Sequence, residues 1–185
     1  MVLDANDREV IEACQRGDYD AFRLLFETHK DRVYSIALRY SGDAAEAMDI
    51  AQETFLKLLS SIQDFRGDSS FESWLYRIVV NRCLDHQRRG RKLMPFIGDL
   101  LDAAESALSK LLRAEVENDV QAIVGKLPPE QRIVVVLRYT EGLRYENIAE
   151  ILGCSAGTVA SRLNRAHKIL QRRLSHLRVR GVGNA

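Results

Sequence analysis

The chain predicts an all-α protein built as two small helical domains joined by a flexible linker. Three observations carry that expectation. Apolar residues recur at steps of three and four along most of the chain, and no stretch alternates with the two-residue period of a strand. Only three prolines interrupt 185 residues that are 46% hydrophobic and 29% charged, which leaves enough apolar surface for a core and few helix breakers. Charge also comes in blocks, although the net charge is only +1. Arg77, Arg82, Arg88, Arg89, Arg91 and Lys92 are opposed in their stretch only by Asp85. Between Gly98 and Asp119 acids dominate, and the C-terminal end is basic again. Two cationic blocks around an acidic spacer point to two nucleic-acid contacts.

Taken in order, Asn6 or Asp7 caps a first helix that ends near Gly17. Residues 21–40 repeat Phe22, Leu25, Phe26, Val33, Ile36, Ala37 and Tyr40 at helical spacing. Ser41, Gly42 and Asp43 break and recap the chain. A third helix over 44–62 turns Ile50, Phe55, Leu58, Leu59 and Ile62 inward. A loop, FRGDSS, follows. Ser70 or Ser73 caps a fourth helix that runs to about Arg89. Residues 90–101 hold Gly and Pro with few periodic apolar residues and read as the start of a linker. Residues 103–112 are weakly amphipathic. Helices resume over 114–126, and Leu127-Pro128-Pro129-Glu130 opens another with proline in its first turn. This gives an N-terminal domain over 1–92, a linker over 93–113, a C-terminal domain over 114–180 and a tail over 181–185.

Within the second domain, residues 145–170 (YENIAEILGCSAGTVASRLNRAHKIL) read as two helices joined by a tight turn. Ala149, Gly153 and Val159 have the spacing of a helix-turn-helix. A small residue allows close packing, a glycine allows the left-handed turn, and a branched residue fills the gap. Val159, Leu163, Ala166, Leu170 and Leu174 share one face of the second helix. Ser161, Arg165, Lys168 and Arg172 lie on the opposite face. From Cys154 to Arg180 there are seven Lys or Arg and no Asp or Glu. Such a helix offers guanidinium forks and hydroxyls to a DNA major groove. Alone, the motif is equally compatible with an ordinary solvated hairpin.

A second segment, FRGDSSFESWLYRIVVNRCLDHQRRGRK, places Phe65, Phe71, Trp74 and Tyr76 among Arg66, Arg77, Asn81, Arg82, Arg88 and Arg89. Rings and arginines interleaved in this way suit single-stranded DNA, whose bases stack while guanidinium groups follow phosphates. Most of the aromatics also fit an inward face. That packing does not account for the arginine run, nor for Asn81, an amide able to read a base edge.

Other function classes are disfavoured. Cys14, Cys83 and Cys154 are scattered, with no CxxC pair, and read as reduced thiols of a cytoplasmic protein. No secretion signal or membrane-length apolar run is expected. No cofactor, metal site or catalytic residue is expected, because Asp49 and Glu53 share a helix face without further ligands.

With both segments in hand, the chain resembles the sigma-70 family of transcription initiation factors, in its extracytoplasmic-function group. DYDAFRLLFETHKDRVYSIALRY is similar to region 2.1 and MDIAQETFLKLL to region 2.2. FRGDSSFESWLYRIVVNRCLDHQRR is similar to regions 2.3 and 2.4. LPPEQRIVVVLRYTEGLRYENIAEILGCSAGTVASRLNRAHKIL is similar to regions 4.1 and 4.2. The resemblance implies a promoter-specificity subunit that binds core RNA polymerase through its beta-prime clamp helices and beta flap. It also implies recognition of the −10 and −35 elements, help in melting the promoter, and an anti-sigma partner. Asp49, Gln52 and Glu53 match the docking surface for the clamp. Phe65, Arg66, Phe71, Trp74, Arg77, Asn81, Arg88 and Arg89 fall in the −10 segment. Ser155, Thr158, Ser161, Arg162, Arg165 and Lys168 fall in the −35 segment.

The chain departs from the family pattern in places. Arg144 and Asn147 replace the Ser and Glu of a capping box, Ala160 replaces a common basic residue, and Met48 stands where an acid is usual. The alternative function is a stand-alone helix-turn-helix regulator, which predicts tight duplex binding without polymerase. A nuclease predicts metal-dependent cleavage.

Overall fold

The computed structural model describes residues 5–93 and 120–181, and within them the chain is helical with no strand. Helix α1 spans Ala5–Gln15, α2 Tyr19–Ser41 and α3 Ala44–Ser61. A 3-10 turn, Ile62–Asp64, leads through a loop to α4, Phe71–Leu93. Residues 120–125 form α5. Then come α6 (Pro129–Tyr139), α7 (Tyr145–Leu152) and α8 (Ala156–Gly181). The expected linker and the weakly amphipathic stretch 103–112 lie outside the described residues.

Local chemistry sets the helix ends. Asp18 accepts hydrogen bonds from the amides of Asp20 (2.9 Å) and Ala21 (3.1 Å), so α2 starts two residues before the expected position. Asp43 caps α3 by accepting from the Glu46 amide at 2.8 Å. Ser70 takes the same role for α4, accepting from the Ser73 amide at 3.1 Å. Ser73 is already inside the helix and buried. Arg144, the residue before α7, makes no side-chain cap, as the absent capping box predicts. Gly153 ends α7 in the left-handed region (φ +62°) and returns its N–H to the carbonyls of Ala149 and Glu150.

The inward faces meet as their spacing predicts. Val33, Ile36, Ala37 and Tyr40 of α2 lie against Ile50 and Leu58 of α3 and Leu75, Val79 and Cys83 of α4. In the C-terminal half, Ile133 and Leu137 of α6, Ile148 of α7, and Val159, Leu163 and Ala166 of α8 form the equivalent centre. Full burial of each such aliphatic side chain stabilises the fold by about 1.5–3 kcal/mol. Two residues expected inward are not. Leu59 is 44% exposed on the outer side of α3, and Leu174 of α8 is 37% exposed.

The two halves pack against each other. α2 contacts α6 and α4 contacts α7, so one apolar cluster crosses the expected domain boundary. At the seam the buried Arg132 donates to the carbonyls of Tyr40 (3.1 Å), Gly125 and Leu127 (3.2 Å). Its guanidinium lies over the Tyr40 ring at 5.1 Å. Gln121 adds a bond to the Arg39 carbonyl at 2.7 Å.

One chemical change is expected to have opposite effects at two glycines. Gly153→Ala places a Cβ in left-handed backbone and is expected to lower stability by about 1 kcal/mol. Gly125→Ala, in α5 with open space at the added Cβ, is expected to raise it by roughly 0.5–1 kcal/mol. Urea unfolding midpoints of the two variants check this.

Candidate nucleic-acid interface

The loop before α4 is built on an aromatic corner. Phe65, half-buried, meets Phe71 edge-on at 5.7 Å and Trp74 at 5.2 Å between ring centroids. Gln15 of α1 fixes the loop backbone by donating to the carbonyls of Ile62 (3.1 Å) and Phe65 (2.8 Å). Sequence reasoning missed Gln15, because a lone amide ending a helix gives no signal. Phe71 is a correction to the expected DNA-contacting set. Only 3% exposed, it is core beneath the loop and presents no ring to a base. Arg66, Asn81 and Arg88 are exposed. Arg77 shares their side of α4 at helical spacing, but its guanidinium donates to the Glu150 carbonyl at 2.8 Å.

Arg89 is held from behind. It makes two bonds to the Glu53 carboxylate, at 2.9 and 3.0 Å. His86 Nε2 stands 3.1 Å from the same carboxylate and Arg82 3.8 Å away. The Arg89 hydrogen bonds come first among the causes that hold the Glu53 carboxyl down at about 2, with His86 adding to them against partial burial. Glu53 therefore ties α3 to the basic end of α4. Of the expected docking set, Asp49 and Gln52 are exposed and Glu53 is half-buried against Arg89.

Gln52 instead borders a groove between α2 and α3, a cavity of about 620 Å³. Phe22, Phe26, Tyr34, Phe55, Leu56 and Leu59 line it, together with Met48 at the position of the usual acid. Leu56 is 59% exposed at its lip. The outward Leu59 belongs to this surface rather than to the core.

In the helix-turn-helix, Ala149 and Val159 are buried where the two helices cross. Ser155 caps α8, accepting from the Thr158 amide at 3.1 Å, and its hydroxyl lies 2.9 Å from that of Thr158. Ser161 donates to the Thr158 carbonyl at 2.9 Å. Arg162, of the expected −35 set, is turned back to Glu130 of α6 at 2.5 Å. Arg165 and Lys168 are exposed. Among the described residues no three His, Cys, Asp or Glu side chains form a metal-like group, and no helix is long and apolar enough to cross a membrane. Cys14 and Cys83 are buried and their thiols are pushed up by that burial, whereas Cys154 is half-exposed.

Two basic helix faces on one chain, one beside an aromatic loop and one in a helix-turn-helix, define a DNA-binding protein with two contacts. Residues 25–93 match the family model for sigma-70 region 2, and residues 117–170 match that for sigma-70 region 4. The chain is 38% identical to the RNA polymerase sigma-H factor of Pseudomonas aeruginosa, over 96% of its own length and 98% of that relative. It is 32% identical to the ECF RNA polymerase sigma-E factor of Haemophilus influenzae, over 96% of its length and all of that relative. Among solved structures, CnrH in complex with the cytosolic domain of CnrY is similar, with a TM-score of 0.67 and 26% identity over 92% of this chain and 97% of that one. So is the sigma factor RpoE in complex with the anti-sigma factor NepR from Bartonella quintana, with a TM-score of 0.64 and 26% identity over 83% and 96%. The chain belongs to the sigma-70 family, in its ECF group.

The Glu53 cluster carries a pH prediction. A carboxyl whose folded value is depressed contributes stability that is present above its ordinary value near 4.5 and is lost as pH falls toward 2. Glu53→Gln is expected to reduce the loss of stability across that window relative to the unaltered chain. Urea titrations at pH 5, 4 and 3 check it; parallel curves for the two proteins would contradict the assignment.

Proposed function

We propose that the loop before α4 and the exposed face of that helix read the −10 element, that α8 reads the −35 element, and that the groove between α2 and α3 docks the polymerase clamp. The domain division behind this reading places the first contact in residues 1–92 and the second in 114–180. One observation carries it: Arg66 and Asn81 in one half and Arg165 and Lys168 in the other are exposed on surfaces whose opposite faces are core, with Arg88 exposed beside the first pair and 3.5 Å from Asp85.

The mechanism follows from what each group can do. Removing a base from its stack costs a few kcal/mol. Stacking on the half-buried Phe65 and Trp74 returns about 1–3 kcal/mol per base, and Arg66 and Arg88 hold the strand by its phosphates. Asn81 offers both an amide donor and an acceptor to a base edge. On duplex −35 DNA, Arg165 is placed for a bidentate contact to guanine and Lys168 for a phosphate.

At the docking groove, Asp31 and Gln52 supply a polar edge and Met48, Leu56 and Leu59 the apolar floor and lip, with Asp49 exposed on the same helix as Gln52. This combination suits an amphipathic helix pair with a basic rim. The chemistry of RNA synthesis belongs to the core enzyme, and the chain works where that enzyme is, in the cytoplasm. Because RpoE of Bartonella quintana is seen with an anti-sigma factor, a partner of that kind is proposed for this chain as well.

Reconstituted transcription tests the whole reading. Purified chain with core polymerase is expected to give promoter-dependent transcripts from a promoter library, and none from any promoter would end it. Arg165→Ala is expected to weaken discrimination among −35 variants by about 1–3 kcal/mol; unchanged preference would remove Arg165 from the reading set. Leu56→Glu, at an exposed position, is expected to leave stability within about 0.5 kcal/mol and to weaken core binding at least tenfold, measured by titration of labelled chain with core polymerase.

A further inference from the structure

Glu141 occupies the short turn between α6 and α7, where a carboxylate is ordinarily hydrated. Its side chain is nevertheless only 4% exposed. The residues that cover it come from the other half of the chain. Arg32 of α2 places Nε 2.9 Å from Glu141 Oε2, and Tyr76 of α4 donates its hydroxyl to the same oxygen at 3.1 Å. Arg32 reaches at the same time to Glu72, at 2.9 Å. A carboxylate is withdrawn from water only when charge and hydrogen bonds replace its hydration. Here all of the replacement is supplied across the seam, so it exists only while the two halves touch.

The same seam engages the −10 face. Arg77 donates to the carbonyl of Glu150 in the last turn of α7, the negative end of that helix dipole. A cation of one promoter-contacting half is thus occupied by the other half. The two promoter elements are about 25 base pairs apart, roughly 85 Å along the duplex at 3.4 Å per base pair. Two small domains in direct contact do not span that distance.

We propose that Glu141 is an intramolecular latch: bound to Arg32 and Tyr76, it holds the free chain closed, with Arg77 occupied, and it must release before both promoter elements are held together. The proposal rests on the reading of α4 and α8 as the two promoter contacts. Release is inexpensive for Glu141 and Arg32, because both regain water. The apolar part of the seam and the Arg132 bonds also favour closure, so removing the latch shifts the balance toward the open chain and leaves the closed chain partly populated.

The test uses the full chain. Spin labels at Lys57→Cys and Asn164→Cys, on exposed positions of α3 and α8 in a Cys154→Ser background, report the separation of the halves by dipolar spectroscopy. The unaltered seam is expected to give mainly one short distance, with a longer component of about a tenth. Glu141→Ala and Arg32→Glu should each enlarge the longer population, and combining Arg32→Glu with Glu141→Arg should restore the short one. An unchanged distribution in Glu141→Ala overturns the latch. A longer population that the exchanged pair fails to reverse also overturns it, because the ion pair would then not be the cause. Binding of a single-stranded −10 non-template oligonucleotide by the free chain should tighten roughly fivefold in Glu141→Ala, the gain expected if the open fraction rises from about a tenth to about a half. Opening without tighter binding overturns the inhibitory role. Failure of every variant to bind the strand overturns the assignment of α4, on which the distance measurement does not depend.

Discussion

The Arg132 guanidinium is the group around which the two halves are arranged. It is buried, and it donates to carbonyls at the ends of two helices, Tyr40 in α2 and Gly125 in α5, and to Leu127 between α5 and α6. Helix C-termini carry partial negative charge and unsatisfied carbonyls, so one cation answers both needs at two ends. Hydrogen bonds to a charged donor are worth about 1.5–3 kcal/mol when the alternative is a buried unpaired group. The Tyr40 ring covers the guanidinium face. The entry of the chain into α6 is therefore set against the end of α2. Everything after α6, including the turn that carries Glu141 and the recognition helix α8, takes its place from that point.

α4 is the element on which this arrangement acts. Its inner face is core, its first turn is fixed by the Ser70 cap and the Phe71 ring, and its basic end is held by Glu53. Of its arginines, Arg89 faces Glu53, Arg77 a helix end, and Arg82 and Arg88 both reach Asp85 at 3.5 Å, Arg88 from an exposed position. The face proposed to read the −10 element is thus a pre-positioned helix whose charges are partly committed within the protein. Rigid placement lowers the entropy lost when a strand binds, and the committed charges set how much binding energy is gained in return.

The fold was largely legible from the residues because helix signals are local. Asp43, Gly42, Ser70 and Gly153 mark ends through bonds made within a few residues, and the 3.6-residue period marks faces. The helix-turn-helix was readable for the same reason, down to the missing cap at Arg144. What escaped were contacts between residues far apart in sequence. Nothing in the residues around Glu53 shows that it will meet Arg89 rather than solvent, since both readings satisfy a charged residue at helical spacing. Phe71 suits both a stacking residue and the inward face of α4, and its place beside His29 of α2 and Phe65 of the loop shows it to be interior. Leu59 obeys the inward period but lines the open groove between α2 and α3. The seam between the halves was not visible at all, because Glu141 and Arg132 look like ordinary surface charges until their partners are known.

Those hidden contacts bear on how a chain of net charge +1 discriminates among DNA sequences. Phosphate contacts dominate sequence-independent affinity, and each one removed lowers it and its salt dependence. In the closed chain Arg77, Arg89 and Arg162 are all directed at protein oxygens, so few cations remain to attract DNA indiscriminately. The contacts that remain free, Asn81 and Arg165, are of the type that read base edges. Withholding backbone contacts while presenting base-reading groups lowers non-specific binding more than specific binding. It also makes productive binding depend on whatever else brings the chain to the promoter. For a subunit that works only on the polymerase, that dependence is the useful outcome: affinity is supplied by the large enzyme, and the small chain contributes choice.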